Sequence, residues 1–162
     1  AFVGNGNGFK LGGNYEVEHN RVTQSIAFGN AAKGFDQNHN MGGVTLLNNV
    51  SYKNNINYGF GGALNSGEQN TFHNNISLSG TNADSIANAT STNNTWNSLP
   101  ASSSDFASLD TSLATAARNA DGSLPATSLF RLSSSSKMID KGVNVGLPFL
   151  GAAPDLGAFE LK

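Results

Sequence analysis

Lys10 and Asp36 are the residues of this sequence whose types and positions best suit chemistry. Each directly follows a Gly-Phe pair, and a third Gly-Phe pair is followed by Gly61. If the three phenylalanines point into a core, strand alternation turns the residues after them outward onto one surface. That surface would carry a cation, an anion and, beside a glycine, open space. The spacing therefore predicts a candidate ligand-binding groove.

An outward lysine beside an outward aspartate is, however, most often a solvated surface pair worth less than about 1 kcal/mol. The residue pattern alone leaves both interpretations open. Lys33 and Arg21 are further cations that could help bind an anionic polymer, although solvated positions are the default for both. The three histidines share no repeat register, so we expect them in turns or on the surface rather than as metal ligands: His19, His39 and His73.

Composition and charge restrict the function. The net charge is −2 and only 12% of residues are charged, which argues against a nucleic-acid binder. An anionic sugar polymer would need only a local basic groove. The absence of cysteine excludes disulfides and thiolate metal sites. No apolar run reaches the roughly 18 residues of a membrane span, and no signal-peptide pattern opens the sequence.

Repeats at a period of about two dozen residues dominate the first part of the chain. The phenylalanines of the Gly-Phe pairs lie 26 and 25 residues apart: Phe9, Phe35 and Phe60. An asparagine follows each of them by five residues: Asn14, Asn40 and Asn65. If equivalent residues of successive coils lie above one another, the phenylalanines form an interior stack and the asparagines an amide ladder. Asn49 and Asn75, with Ser25 in the same register, predict a second ladder.

Each repeat contains short segments of alternating apolar and small polar residues, separated by asparagine and glycine. The chain has 23 asparagines, of which 21 precede residue 98. Alternation at period two indicates strands, and several short strands in a repeat of this length are typical of a parallel β-helix. We predict an all-β, right-handed parallel β-helix over residues 1–100, with about three to four coils. A weaker fourth rung is expected at residues 85–87.

Residues 101–162 have a different pattern and are predicted to be a covering segment of the same domain. Phe106, Leu109, Leu113 and Ala116 follow the spacing of one face of a short amphipathic helix. The remainder is rich in turn residues and is expected to be irregular. Such a segment would cover a flank or the C-terminal end of the solenoid, because exposed solenoid ends invite edge pairing.

The stretch GNGFKLGG at residues 6–13 resembles the sequence around the catalytic lysine of polysaccharide lyase family nine. Residues 26–30 and 33–38 are similar to the next coil of that family. The segments DGSLP at residues 121–125 and PDLGAFE at residues 154–160 resemble the ends of many secreted β-helix polysaccharide enzymes.

The resemblance implies a secreted pectate lyase that performs calcium-dependent β-elimination on pectate, an acidic polysaccharide. Lys10 matches the residue that removes the C5 proton of a galacturonate unit. Asp36, one coil away, is expected to contact substrate or water, and Lys33 and Arg21 to bind the polymer. Neither nucleic acid nor a membrane is expected as a partner.

The sequence departs from the family's pattern at the calcium site. That site is an aspartate cluster on coils before the lysine coil, and no paired aspartates precede Lys10. Glu16 and Glu18 follow Lys10 and do not form this cluster. We therefore expect the primary Ca²⁺ ligands upstream of this chain, and we interpret the chain as a C-terminal fragment that need not be active alone. Its open first coil is expected to be available for self-association.

Two other functions remain open at this point. A non-catalytic β-helix, such as an adhesin or a glycan-binding segment, is favoured by the missing aspartates. A glycoside hydrolase on the same fold ranks last, because that chemistry needs two suitably spaced carboxylates and only Asp36 faces outward on the predicted rungs.

Overall fold

The computed structural model describes residues 4–161, which form a parallel β-solenoid of about three turns. Every pairing between its strands is parallel, and each strand pairs with the equivalent strand of the next coil. The predicted all-β parallel β-helix is confirmed. It arises because short apolar segments recur at nearly constant spacing, so that each buries one face against the interior.

The strands form three sheets. The first sheet contains β1 (Phe9–Lys10), β4 (Lys33–Asp36), β7 (Ile56–Phe60) and β10 (Ser85–Ile86). The second sheet contains β2 (Arg21–Thr23), β5 (Thr45–Leu47), β8 (Asn70–His73) and β11 (Ala89–Thr92). The third sheet contains β3 (Ile26–Phe28), β6 (Val50–Tyr52) and β9 (Ile76–Leu78).

An aromatic column runs inside the first sheet. Phe9 pairs with Phe35, which pairs with Tyr58, and successive ring centroids are 4.8 and 5.2 Å apart. The prediction that Phe60 continues this column is wrong, because its ring packs on Phe72, at a centroid distance of 4.9 Å. The coil step from Phe35 to Tyr58 is only 23 residues, so the third Gly-Phe pair falls two positions beyond the register.

The corners between the second and third sheets each have two residues with different roles. The first residue has a left-handed backbone, with φ between 47° and 60°: Gln24, Asn48, Asn74 and Asn93. Asparagine tolerates this conformation better than most residues. The second residue belongs to a hydrogen-bonded ladder: Ser25, Asn49, Asn75 and Asn94.

This ladder confirms the predicted column of Asn49 and Asn75 with Ser25, and it extends one coil further to Asn94. Both the backbone N and Nδ2 of Asn49 donate to Asn75 Oδ1, at 3.0 and 2.9 Å. The same two groups of Asn75 donate to Asn94 Oδ1 at 2.9 Å.

The ladder predicted at Asn14, Asn40 and Asn65 is wrong. Asn40 is fully buried and bonds to backbone atoms of Leu11, Glu18 and Gly42, whereas Asn14 and Asn65 are exposed. The shortened third coil moves Asn65 out of register. In the first coil, the residue that packs against Asn40 is Gly12 rather than Asn14, and Gly12 has no side chain that could form an amide ladder.

Two clusters of buried apolar side chains form the core. One lies between the first and second sheets and includes Phe35, Leu46, Tyr58 and Phe72. Trp96 packs against this cluster after the last strand, with its ring centroid 4.9 Å from that of Tyr58. The indole Nε1 donates to Ser91 at 2.9 Å, so burying the ring leaves no polar atom unpaired.

The second cluster joins the third sheet to the chain that follows the coils. Val50 and Ile76 of the sheet pack with Phe130, Met138 and Leu156. The left-handed corner asparagines add hydrogen bonds to backbone atoms of the same segment: Asn48 to Asp155, Asn74 to Val143 and Asn93 to Lys141. The segment therefore lies along the third sheet, while the predicted domain boundaries, 1–100 and 101–162, stay a prediction.

The short helix predicted after residue 101 is present as two 3₁₀ helices, Ser103–Asp105 and Thr111–Thr115. One amphipathic helix through Phe106 does not form, since Phe106 makes an isolated antiparallel bridge with Leu132. Asp110 instead accepts hydrogen bonds from the backbone and hydroxyl of Ser112. Asp110 thereby caps the second 3₁₀ helix, so this helix begins at Thr111 and does not include Phe106 or Leu109.

None of the helices within residues 4–161 has the length and apolar character needed to cross a membrane.

Candidate functional site

Lys10 lies on the outward face of the first sheet, beside Asp36. The two residues pair in register on β1 and β4. The side chain of Lys10 is exposed, whereas Asp36 is only 4% exposed. The residue next to Asp36 on the third coil is Gly59 rather than the predicted Gly61, and Ser85 follows on the fourth. A glycine therefore does lie beside the charged pair, two residues earlier in the sequence, but the predicted open space does not, because Gly59 is buried and the side chain of Lys33 lies over it.

Gly59 allows the side chain of Lys33 to cross the sheet surface. A Cβ at Gly59 would collide with Cδ and approach Cε of Lys33. The ammonium group of Lys33 then reaches Asp36, with Nζ 2.7 Å from Oδ1. Sequence reasoning named Lys33 and Asp36 separately and missed Gly59, because its partner depends on the length of the third coil.

The carboxylate of Asp36 is held by hydrogen bonds from its own turn and from the preceding coil. Asn7 Nδ2 donates to Oδ2 at 2.8 Å, and the backbone N of Asn38 donates to Oδ1 at 3.1 Å. Asn7 Oδ1 also accepts from the backbone N of Lys33 at 2.8 Å. Together with the ion pair, these bonds orient Asp36 toward Lys33, which suits a positioning role better than proton transfer.

An open cleft of about 510 Å³ adjoins this surface. Residues of the first sheet line it, among them Lys33, Asp36, Gly59 and Ser85, and so do residues of the turns that follow the sheet. Lys10 is next to the cleft through its pairing with Asp36 but is not among the lining residues. The volume lies within the range of about 300–1,000 Å³ typical of ligand pockets.

The turns bordering the cleft bring together residues that sequence reasoning did not select. Tyr15 and His39 contact each other, with ring centroids 4.9 Å apart, and both line the cleft. Three small residues border it on the third coil, namely Gly62, Ala63 and Gly61, the glycine that the sequence had predicted beside Asp36. One feature of the sequence could have identified these residues. Each lies a few positions after a residue that points outward from the first sheet.

Arg21 is placed elsewhere. It is the exposed first residue of β2 in the second sheet, where it pairs with Thr45. The structure does not bring it to the cleft, so its role in binding the polymer stays a prediction.

The described residues do not fit a calcium ion. Within residues 4–161, no group of three or more His, Cys, Asp or Glu side chains could hold a metal. Glu16 and Glu18 are both exposed, and Asp36 is already paired with Lys33. Hard cations such as calcium need six to eight oxygen ligands, which this surface does not offer.

Asp84 directly precedes Ser85, which lines the cleft, but Asp84 is not itself a lining residue. Burial raises the pKa of the Asp84 carboxyl, and hydrogen bonds from Ser77, Tyr58 and Asn57 oppose this effect. The backbone N of Tyr58 donates to its Oδ1 at 2.8 Å. Burial, reinforced by the charge of Asp84, raises the pKa of the Tyr58 phenol well above its usual value. Tyr58 is therefore an uncharged core residue.

Comparisons with known proteins agree with this architecture. A family model described as the Pel9A-like, right handed beta helix region matches residues 1–82. The chain is 59% identical over 162 residues to Pectate lyase L of Dickeya dadantii (strain 3937) and 58% identical to Pectate lyase L of Dickeya chrysanthemi. It covers 38% of each relative, and 99% of this chain is aligned. The crystal structure of pectate lyase Pel9A matches with a TM-score of 0.95 at 58% identity, over 100% of this chain and 40% of that one.

Proposed function

Because the chain belongs to the family of Pel9A-like right-handed β-helix proteins, we propose that the protein containing it is a pectate lyase. The similarity to Pel9A over the whole chain carries this proposal. The chain spans about two fifths of the length of the relatives that it matches, so the activity is proposed for the whole protein. Cleavage of polygalacturonate by β-elimination belongs to the same proposal.

Lys10 acts as the base in this reaction. In its uncharged form the amine takes the C5 proton of a galacturonate unit, and the electrons of the C5–H bond form the C4–C5 double bond. The glycosidic oxygen on C4 leaves with its bonding electrons and takes a proton from solvent, which gives one unsaturated end and one new hydroxyl. The position of Lys10 supports this role, because its exposed amine on the outward face of the first sheet can reach a polymer that lies along this face.

Lys33 contributes a second positive charge beside Lys10. Its ammonium lies against Asp36 and its stem lies over Gly59, so it has a defined position before substrate arrives. Such a cation can bind a substrate carboxylate at low entropic cost, since preorganised groups lose little freedom on binding. Asp36 orients Lys33, and contact of its carboxylate with a substrate hydroxyl or with water stays a prediction, since the residue is 4% exposed and both of its oxygens already accept hydrogen bonds.

Calcium dependence and an extracellular location complete the proposal. Residues 4–161 offer no metal-binding cluster, so the calcium ligands are expected outside this part of the protein. An enzyme acting on a large acidic polysaccharide must meet it outside the cell.

The test is an assay of the full-length protein on polygalacturonate, following the ultraviolet absorbance of unsaturated uronides with and without a chelator. We expect cleavage that the chelator abolishes and added calcium restores. Binding of the polymer without turnover would instead support a non-catalytic glycan-binding β-helix. Cleavage products lacking the double bond would reject β-elimination.

A further inference from the structure

Tyr15 and His39 form an exposed pair of rings at the edge of the cleft that the proposed reaction does not use. Tyr15 is 67% exposed, and His39 is also exposed. Their centroids are 4.9 Å apart and their planes are inclined by 42°. Large aromatic side chains usually gain stability by burial, so an exposed pair beside a cleft requires another explanation than core packing.

Both residues are held in an unfavourable backbone conformation. Tyr15 has φ 61° and His39 has φ 58°, and the asparagine before each of them also has a positive φ. Bulky residues rarely adopt the left-handed region, and such strain is often found at binding sites.

Hydrogen bonds between the two turns fix their relative position. Asn38 Nδ2 donates to the carbonyl oxygen of Gly12, and the backbone N of Met41 donates to the carbonyl oxygen of Glu16 at 2.9 Å. The turns that carry Tyr15 and His39 are thus joined on both sides of the ring pair. Rigid positioning matters because a preordered surface loses little entropy when a ligand binds.

The chemistry of the cleft indicates what the rings would contact. Lys33 and Asp36 line the same cleft as Tyr15 and His39, so a ligand in the cleft can meet a charged group and an aromatic surface together. The pyranose ring of a uronate offers a surface for each, because its C–H groups form an apolar face while its hydroxyls and carboxylate lie around the edge. Aromatic faces attract such polarised C–H groups through their negative quadrupole.

We propose that Tyr15 and His39 form an aromatic subsite for one uronate ring of the polysaccharide, distinct from the ring that meets Lys10. This inference rests on the proposed function for the identity of the polymer. The subsite positions the chain along the first sheet and makes affinity depend on the length of the oligosaccharide. It is a binding surface, and neither residue takes part in proton transfer.

The experiment compares Tyr15→Asn, Tyr15→Phe and His39→Asn in the full-length protein, with Leu124→Ala as control. Asparagine tolerates the left-handed backbone, so these asparagine substitutions remove a ring without adding strain. Leu124 is 73% exposed and is not among the residues lining the cleft. Each variant is assayed for KM and kcat on polygalacturonate and on oligogalacturonates of increasing length, and its Tm is recorded.

For Tyr15→Asn we expect KM on long substrates to rise by roughly two- to tenfold, the range of an aromatic contact, with kcat unchanged. The effect should vanish for oligomers too short to span from Lys10 to the ring pair. Tyr15→Phe should keep the wild-type KM, and His39→Asn should raise KM less. Unchanged KM for Tyr15→Asn at every length, or equal losses for Tyr15→Phe and Tyr15→Asn, would overturn the subsite.

Direct binding measurements separate this inference from the proposed function. If the wild-type protein binds oligogalacturonates without cleaving them and Tyr15→Asn weakens binding, the subsite stands and the lyase assignment fails. If the wild-type protein neither cleaves nor binds them, both fail. A lower kcat with a lower Tm would indicate a structural role for Tyr15 and would also overturn the subsite.

Discussion

Lys10 and Lys33 lie on the same face of the first sheet but have different surroundings. Lys33 is paired with Asp36 at 2.7 Å, whereas Lys10 makes no hydrogen bond or ion pair through its side chain within residues 4–161. A lysine held by a carboxylate suits charge recognition, whereas the amine of Lys10 has no partner in the described part of the chain that must be displaced before it contacts the substrate.

Replacing Lys10 tests its role as a base. We expect Lys10→Ala and Lys10→Arg in the full-length protein each to lower kcat by roughly 10²–10⁴-fold, the usual contribution of a positioned base. Arginine keeps the positive charge but cannot be deprotonated in proteins. The control is Lys141→Ala, an exposed lysine outside the sheets. If Lys10→Arg retains activity, the residue binds charge and does not transfer a proton.

The glycine at position 59 is predicted to control Lys33. In Gly59→Ala the new methyl group displaces the flexible end of the Lys33 side chain, which breaks its contact with Asp36 and leaves the fold intact. We expect KM to rise by roughly fivefold, because Lys33 loses its fixed position and a partly exposed ion pair of this kind is worth about 1 kcal/mol.

A double-mutant cycle with Lys33→Ala decides whether this effect passes through Lys33. In the Lys33→Ala background, Gly59→Ala should change KM no further. Additive effects would show that Gly59 acts on the substrate by another route, such as direct contact in the cleft.

The asparagine ladder is the element that ties neighbouring coils together at the corner after the second sheet. Each rung bonds backbone and side chain of one coil to the amide of the next. Because these groups are buried, a missing rung leaves donors without partners, at a cost of roughly 1–3 kcal/mol each.

Asn75→Ala is expected to lower the free energy of unfolding by several kcal/mol, roughly 1–3 for each of the Asn49 donors left unpaired. Chemical denaturation of the full-length protein measures the loss. Asn65→Ala is the matched control, because Asn65 is exposed and outside the ladder. Equal free energies of unfolding for the two variants would show that the ladder does not stabilise the fold.

Asp84 directly precedes β10 in the sequence and accepts a hydrogen bond from Tyr58 of β7. Its substitution leads to a prediction about how stability depends on pH. Its folded-state pKa is raised by burial, so the charged form destabilises the fold, and this penalty disappears as the pH falls through the raised value. An asparagine side chain at this position would retain an acceptor for the backbone N of Tyr58 without the charge. We therefore expect Asp84→Asn to raise Tm at neutral pH and to lose this advantage in acid.

Asp110→Asn provides the opposite control for that experiment. Hydrogen bonds from the side chain and backbone of Ser112 lower the pKa of Asp110, so its charge stabilises the fold above the unfolded-state pKa and this contribution is lost in acid. Thermal unfolding across pH should show opposite signs for the two variants at neutral pH. The same sign for both would contradict the assignment of burial as the cause at Asp84.

For the whole molecule, the contacts across the third sheet predict that coils and covering segment unfold together. Leu156 is 1% exposed and packs in one cluster with Val50 and Ile76. Leu156→Ala should destabilise the fold by about 2–5 kcal/mol. We expect amide exchange of β6 and β9 to accelerate along with that of residues 138–158, as measured by peptide-resolved hydrogen exchange. Acceleration confined to the covering segment would show that it unfolds independently.

The first coil has an edge at which β1, β2 and β3 pair on one side only among the described residues. Unpaired strand edges can add further strands, so self-association through this coil stays a prediction. Concentration-dependent sedimentation of this chain, compared with that of the full-length protein, would test it.

The sequence by itself determined the coil period, the parallel sheets, the ladder at Asn49 and Asn75, and the outward position of Lys10 beside Asp36. These features follow from local rules. Alternation fixes which way a side chain points, and a regular repeat places equivalent residues above one another.

Only the tertiary structure decided which residues meet across coils of unequal length. A third coil shorter at the first sheet replaces Phe60 by Tyr58 in the aromatic column and Gly61 by Gly59 beside Asp36. The pairing of Tyr15 with His39 likewise depends on how two turns pack. The register between coils depends on how the backbone stacks. A turn can gain or lose residues while the alternation within each strand stays the same, so the strand pattern does not reveal the change.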